Sequence, residues 1–202
     1  MGTDIHGWVE VYHDPFIQNG WGRCIDIENI VGRNYDMFGM LFGVRNFANW
    51  EPLADSRGFP SFVDRTIEKS LTGYDNITYL WFHEIEAINW DEQSQNLNQR
   101  ISEFDLNGNP TGMAFLDSSI LSFTEREILR SGIPLKLNDV ILKCVRKIRK
   151  ECLSGDWELL FKLMRTLNER YQAVNTDITN GDPMDKYYMH PSYCRLIVGF
   201  DS

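Results

Sequence analysis

Asp4-Ile5-His6-Gly7-Trp8-Val9-Glu10-Val11-Tyr12 near one end of the chain and Cys194-Arg195-Leu196-Ile197-Val198-Gly199-Phe200 near the other decide the fold. In the first stretch Ile5, Gly7, Val9 and Val11 point one way and Asp4, His6, Trp8, Glu10 and Tyr12 the other, the two-residue period of a half-buried strand. In the second, Leu196, Val198 and Phe200 alternate with Arg195, Ile197 and Gly199 in the same manner. Both ends of the chain are therefore expected to be strands, placed together in one small mixed sheet.

Between them the spacing predicts helices. Apolar residues at Tyr35, Phe38, Leu41, Phe42 and Val44 give near-helical spacing over Arg33 to Phe47, with Asn34 as a cap. After Arg57-Gly58-Phe59-Pro60, Ser61 is placed to cap a short helix carrying Phe62, Val63 and Ile67. A further helix is expected from Thr78, with Leu80, Trp81, Glu84, Ile85 and Ile88 on one face. Thr124-Glu125-Arg126-Glu127 reads as a capping box for a helix ending at Gly132. Asn138 to Tyr171 reads as an antiparallel αα-hairpin: Asn138 starts a helix striped with Val140, Ile141, Cys144, Val145, Ile148 and Cys152, and Asp156 starts a second with Trp157, Leu160, Leu163, Met164, Leu167 and Tyr171. Residues 91–112 are polar, and Asn107-Gly108 is a strong hairpin signal, so this segment is expected to be a surface excursion with its own ribbon. Asn19-Gly20-Trp21-Gly22 reads as a turn, and Cys24 to Val31 as a short strand or loop. The fold class is α+β, a single domain over 1–202.

Composition bounds the function. At 202 residues, with 43% hydrophobic and 13% aromatic residues, the chain has core material for one domain and is not a disordered composition. No apolar run approaches the roughly 20 residues that cross a bilayer. Met1-Gly2-Thr3-Asp4-Ile5-His6 lacks the basic start and apolar stretch of a secretion signal, and His6 stands where N-myristoylation wants Ser or Thr. The chain is read as cytoplasmic, with no membrane partner. Cys24, Cys144, Cys152 and Cys194 lack metal or redox spacing and are expected to be buried free thiols. A net charge of −9 argues against general nucleic-acid binding. It fits a small-molecule binder or a protein that occupies a basic groove on another protein.

Asp4 and His6, two apart on a strand, share a face, and such a pair can position a base, bind a metal or hold a ligand; an ordinary structural pair has the same spacing. Arg33-Asn34-Tyr35-Asp36 gathers donors for phosphate and a ring for a base, although capping plus an Arg–Asp pair explains it equally. Arg45 and Arg57 add two guanidiniums, Arg57 on a loop. His83-Glu84 resembles half of a zinc-peptidase motif, but Ala87 stands where the second histidine belongs. His13, His83 and His190 are scattered, so no metal set is drawn. There is no phosphate loop, dinucleotide fingerprint or nucleophile elbow, and no cofactor is indicated. Lys143, Arg146, Lys147, Arg149 and Lys150 read as the solvated outside of a helix.

The blocks Met1-Gly2-Thr3-Asp4-Ile5-His6, Gly32-Arg33-Asn34-Tyr35-Asp36-Met37-Phe38, Gly43-Val44-Arg45, Arg57-Gly58-Phe59-Pro60, Thr78-Tyr79-Leu80 with Glu84-Ile85, Asn89-Trp90, and Arg195 to Ser202 resemble a family of small bacteriophage and bacterial proteins. The resemblance covers both termini and most of the first ninety residues, while 91–190 matches poorly. It implies a set of polar positions (Asp4, His6, Arg33, Asn34, Tyr35, Asp36, Arg45, Arg57, Arg195 and Asp201) and carries across no reaction. Family members have a Gly-His-Ser stretch where this chain reads Tyr74-Asp75-Asn76-Ile77, so that histidine, and any activity resting on it, is missing here.

These readings combine into one expectation. Asp4 and His6 as acid and base, with Trp8, Arg33, Asn34, Tyr35, Asp36, Arg45 and Arg57 as ligand contacts, converge on a pocket for an anionic nucleotide-like molecule, which a phage protein would sequester or cleave as a host-defence messenger. The alternative is an acidic interaction protein that inhibits a host enzyme by surface contact. In a third reading the same polar residues are a structural ion-pair network.

Overall fold

A computed structural model describes residues 2–13, 20–115, 121–179 and 192–201. Asn19 of the expected glycine turn and His190 lie outside these. The α+β expectation holds, and the described residues divide into two compact units. One comprises residues 1–34, 53–88 and 153–202; the other comprises 35–52 and 89–152.

The first unit is built on the two stretches that open the sequence. Strand β1 (Ile5–Tyr12) pairs on one side with β2 (Trp21–Asp26) and on the other with β8 (Cys194–Phe200), and β8 pairs in turn with β3 (Asp75–Trp81). The sheet order is β2-β1-β8-β3, and every pairing is antiparallel. The two terminal strands thus lie side by side as expected, in a purely antiparallel sheet and not a mixed one. Helix α6 (Gly155–Thr179) lies against β1 and β8 and buries Trp157, Leu160 and Met164. On the opposite face, Ile67 and Leu71 of α2 (Arg65–Leu71) form a buried cluster with Ile197, and Trp8, Phe59, Val63, Tyr74 and Tyr79 pack around it. Asp64, not Ser61, caps α2: its carboxylate accepts from the Thr66 and Ile67 amides.

Two readings in this region change. The helix expected from Thr78 is strand β3 through Trp81, followed by a single turn, α3 (Phe82–Glu86). Thr78, Tyr79, Leu80 and Trp81 are β-branched, aromatic or apolar, and Thr78 and Leu80 are buried while Tyr79 and Trp81 are half-buried; the two-residue period wins. The αα-hairpin keeps only its second helix, α6.

In the second unit, α1 is Tyr35–Phe42 and a second antiparallel sheet runs β5-β4-β7-β6, formed by Pro110–Phe115, Arg100–Asp105, Val140–Lys143 and Leu135–Leu137. Its core holds Ile101, Leu121, Leu129, Leu142 and Cys144. The Asn107-Gly108 hairpin forms as read, but β4 also pairs with β7, so the ribbon is part of this sheet and not a separate excursion. Ser122 and Glu125, two residues before the expected box, cap α4 (Phe123–Arg130). Asn138 caps no helix. With φ of 50°, it begins the tight turn that joins Leu137 to Val140, and only a four-residue helix, α5 (Arg149–Cys152), follows. Of the basic run, accordingly, only Arg149 and Lys150 lie in a helix, and Lys143 belongs to β7. Lys143 lies over the Phe104 ring, Arg149 is buried against Trp50 with Glu92 as partner, and Lys150 pairs with Asp91.

All four cysteines are free thiols; Cys144, Cys152 and Cys194 are buried, whereas Cys24 is exposed, contrary to expectation. Burial pushes the Cys152 thiol up to about 12. Among the described residues no helix is long and apolar enough to cross a membrane.

Candidate functional site

Strand alternation places His6, Trp8 and Glu10 on the α2-facing side of the first unit's sheet, and the β1–β8 register sets Gly199, Ile197 and Arg195 opposite them. The row has two polar ends with an apolar middle. Trp8 belongs to the middle, packed on the Ile67–Leu71–Ile197 cluster.

At one end stands His6. Its Nδ1 lies 2.7 Å from the Glu28 carboxylate and its Nε2 3.9 Å from Asp201. The Tyr74 ring stacks on the imidazole, centroids 4.3 Å apart at 22°. A glycine opposite His6 makes that stack possible: a Cβ at Gly199 would come within 2.9 Å of the Tyr74 Cβ. Glu28 is placed by its own segment. The Ile27 amide donates to the Gly7 carbonyl, Ile27 is fully buried, and the Glu28 amide donates to the Asp26 carboxylate. Next to His6 in sequence, Asp4 receives Arg33 as a two-point fork, Nε to one oxygen at 2.8 Å and Nη2 to the other at 2.6 Å. The Asp4 amide donates to the Asp201 carboxylate, and the Asp201 amide returns to the Asp4 carbonyl at 3.3 Å. Asp4, His6, Glu28, Arg33, Tyr74 and Asp201 therefore lie together as one cluster drawn from four distant parts of the chain. The Arg33 segment is tied down beside it: the Gly32 amide donates to Asp156, and the Asn34 amide group to the Ser154 hydroxyl.

The other end is fully enclosed. Glu10 and Arg195 pair at 2.6 Å with side chains 0% and 2% exposed, and the Arg195 guanidinium lies 3.8 Å over the Trp21 ring and 5.2 Å from that of Trp81. Burial pushes the Glu10 carboxyl above its ordinary value despite Arg195, and lowers Arg195 despite Glu10. Glu10 also accepts from the Asp64 amide, and Arg195 donates to the Phe62 carbonyl, so the pair fastens the loop before α2 to the sheet. This end is structural.

Arg57 grips Glu84 through both nitrogens at 2.9 and 2.8 Å and lies over Tyr79. Burial raises the Glu84 carboxyl, but Arg57 and the Trp81 amide outweigh it and hold it below its ordinary value. Arg57 is thereby committed to an acidic partner within the first unit.

The remaining expected residues, Tyr35, Asp36 and Arg45, belong to the second unit. Asp36 pairs with Arg100 and lies 4.0 Å from Lys147, while Arg33 forks onto Asp4. The Tyr35 ring meets Phe38 and Phe47 edge-on, and Arg45 sits in a left-handed turn with φ of 53°. Of the expected set, the structure joins Asp4 directly to Arg33 and brings His6 to 3.9 Å from Asp201, whose carboxylate accepts from the Asp4 amide, with Trp8 and Asn34 adjoining in sequence. Sequence reasoning missed Glu28 and Tyr74: neither falls in a motif, and only the chain path past Ile27 and the gap left by Gly199 bring them in. Among the described residues no group of three or more His, Cys, Asp or Glu is placed to hold a metal. No protein-family model, no curated protein sequence and no solved structure matches the chain.

Proposed function

We propose that the first unit binds a nucleotide-like small molecule at the His6 end of its sheet. The observation that carries this reading is the convergence of Asp4, His6, Arg33 and Asp201, which come from three separate parts of the sequence and share no apolar core role. Arg33, oriented by Asp4, supplies positive charge for an anionic group. His6 and Asp201 offer acceptors for hydroxyls, as a ribose presents. Proton transfer at His6 is the chemistry available if the bound molecule is also cleaved. In the phage setting that the resemblance implies, the ligand class is a nucleotide second messenger. Thermal-shift measurements against cyclic nucleotides and ADP-ribose derivatives test this. A ligand at about 100 times its Kd adds ~2.7 kcal/mol to stability, and the shift should vanish in R33A. A panel without any shift overturns the reading.

A second reading rests on a different observation. The first unit carries 18 acidic and 10 basic residues, a formal −8, while the second carries 11 and 10, a formal −1. So uneven a distribution favours docking of the first unit onto a basic protein surface. Such a complex should weaken steeply between low and high salt; a salt-insensitive complex rejects this route.

A further inference from the structure

We infer that Glu28 is a positioning residue that holds His6 in one tautomer, with the ring proton on Nδ1 and Nε2 left as an acceptor facing Asp201. The inference rests on reading this cluster as a ligand site, and it names what that site recognises: a hydroxyl donor.

A neutral imidazole carries one N–H, and the partner of one nitrogen decides which nitrogen bears it. Glu28 lies 2.7 Å from Nδ1, a full hydrogen-bond contact, and an ionised carboxylate only accepts. The proton therefore belongs on Nδ1. Nε2 has no hydrogen-bond partner among the described residues and is shielded from solvent, and the nearest carboxylate oxygen, from Asp201, is 3.9 Å away. Two acceptors face one another across a gap too long for a direct bond. Each acceptor needs a donor hydrogen of its own, so a vicinal pair of hydroxyls, one donating to Nε2 and the other to the Asp201 carboxylate, satisfies such a gap. A phosphate oxygen does not. The ring itself is held in register by Tyr74, which occupies the space left by Gly199. Asp201 is half exposed and sits at the end of β8, so it forms the outer wall that a ligand hydroxyl displaces. Carboxylate-oriented imidazoles are the general device by which proteins fix a basic ring nitrogen.

The test is ¹⁵N NMR of the histidine ring nitrogens in the intact protein, recorded about two pH units above the ordinary imidazole value of ~6.5. His6 signals are identified by their loss in H6N. The expected result is a protonated Nδ1 and a bare Nε2 in the wild type, with E28A shifting the proton to Nε2 or leaving the two tautomers mixed. Melting of E28A is followed alongside, because a merely structural role would lower the midpoint without moving the proton. A wild-type ring carrying its proton on Nε2, alone or together with one on Nδ1, overturns the inference, as does an E28A spectrum identical to the wild type. ADP-ribose is then added. A shift confined to Nε2 supports the hydroxyl contact. A bare Nε2 that ignores every nucleotide leaves the positioning role standing and removes the ligand reading instead, so the two fail separately.

Discussion

At the scale of single residues, the strongest dependence lies in the enclosed Glu10–Arg195 pair. Removing one partner of a buried pair strands the other's charge at a cost of about 3–5 kcal/mol, whereas replacing both by apolar groups of similar volume is often neutral. R195A should therefore lower the unfolding free energy from urea titration by an amount in that range, and E10M/R195M should recover most of it. A double variant as unstable as the single would show that the pair contributes more than mutual neutralisation. Glu84 sets a pH dependence of definite sign. Its carboxyl is held below 4.5 in the folded state, so the unfolded chain binds more protons as pH drops. The stability Glu84 contributes is full above 4.5 and is lost as pH falls through its folded value; E84Q should flatten that acid-side slope in denaturant titrations. Glu10, raised by burial, acts in the opposite sense, and E10Q should steepen it. Such partnerships were only half legible in the sequence. Asp4 and His6 share a face by strand period alone, which one sequence reveals. The Arg33–Asp4 fork and the Glu28–His6 contact join segments more than twenty residues apart, and no local pattern encodes them.

Among elements, legibility tracked how far local chemistry and tertiary pairing agree. The Asn107-Gly108 turn was readable because its backbone needs are local: Gly108 has φ of 85°, and the Asp105 side chain accepts from the Asn107 and Asn109 amides. Putting a Cβ at that left-handed position costs about 1–2 kcal/mol. G108A should lose stability of this order and speed amide exchange in β4 and β5; unchanged exchange there would mean that pairing with β7 fixes the ribbon without its turn. Val140-Ile141-Leu142 shows the opposite case. The apolar run fits a helical stripe on paper, but Asn138 in a left-handed turn and edge partners in β4 and β6 make it a strand. Thr78 to Trp81 was misread for the same reason: both periods were present, and the open edge of β8 chose between them.

For the molecule as a whole, the informative quantity is where the charge sits. A formal −8 on the first unit against −1 on the second means that nearly all of the net charge burdens one of two compact units. The total of −9 was plain in the sequence, but its partition was not, because the first unit is assembled from three separate stretches of chain and the second from two. Self-repulsion among like charges opposes compaction and is screened as the Debye length shrinks from ~10 Å at 0.1 M salt to ~3 Å at 1 M. Exposed pairs such as Asp4–Arg33 oppose this only weakly, since surface ion pairs contribute ~0–1 kcal/mol. Raising salt should therefore slow amide exchange in peptides from β1, β8 and α6 and leave those from β4 and β7 nearly unchanged, as followed by mass spectrometry at the two ionic strengths. Equal protection gained in both units would show that the acidic excess of the first is already neutralised within its own fold, and the argument for a basic partner would lose its footing with it.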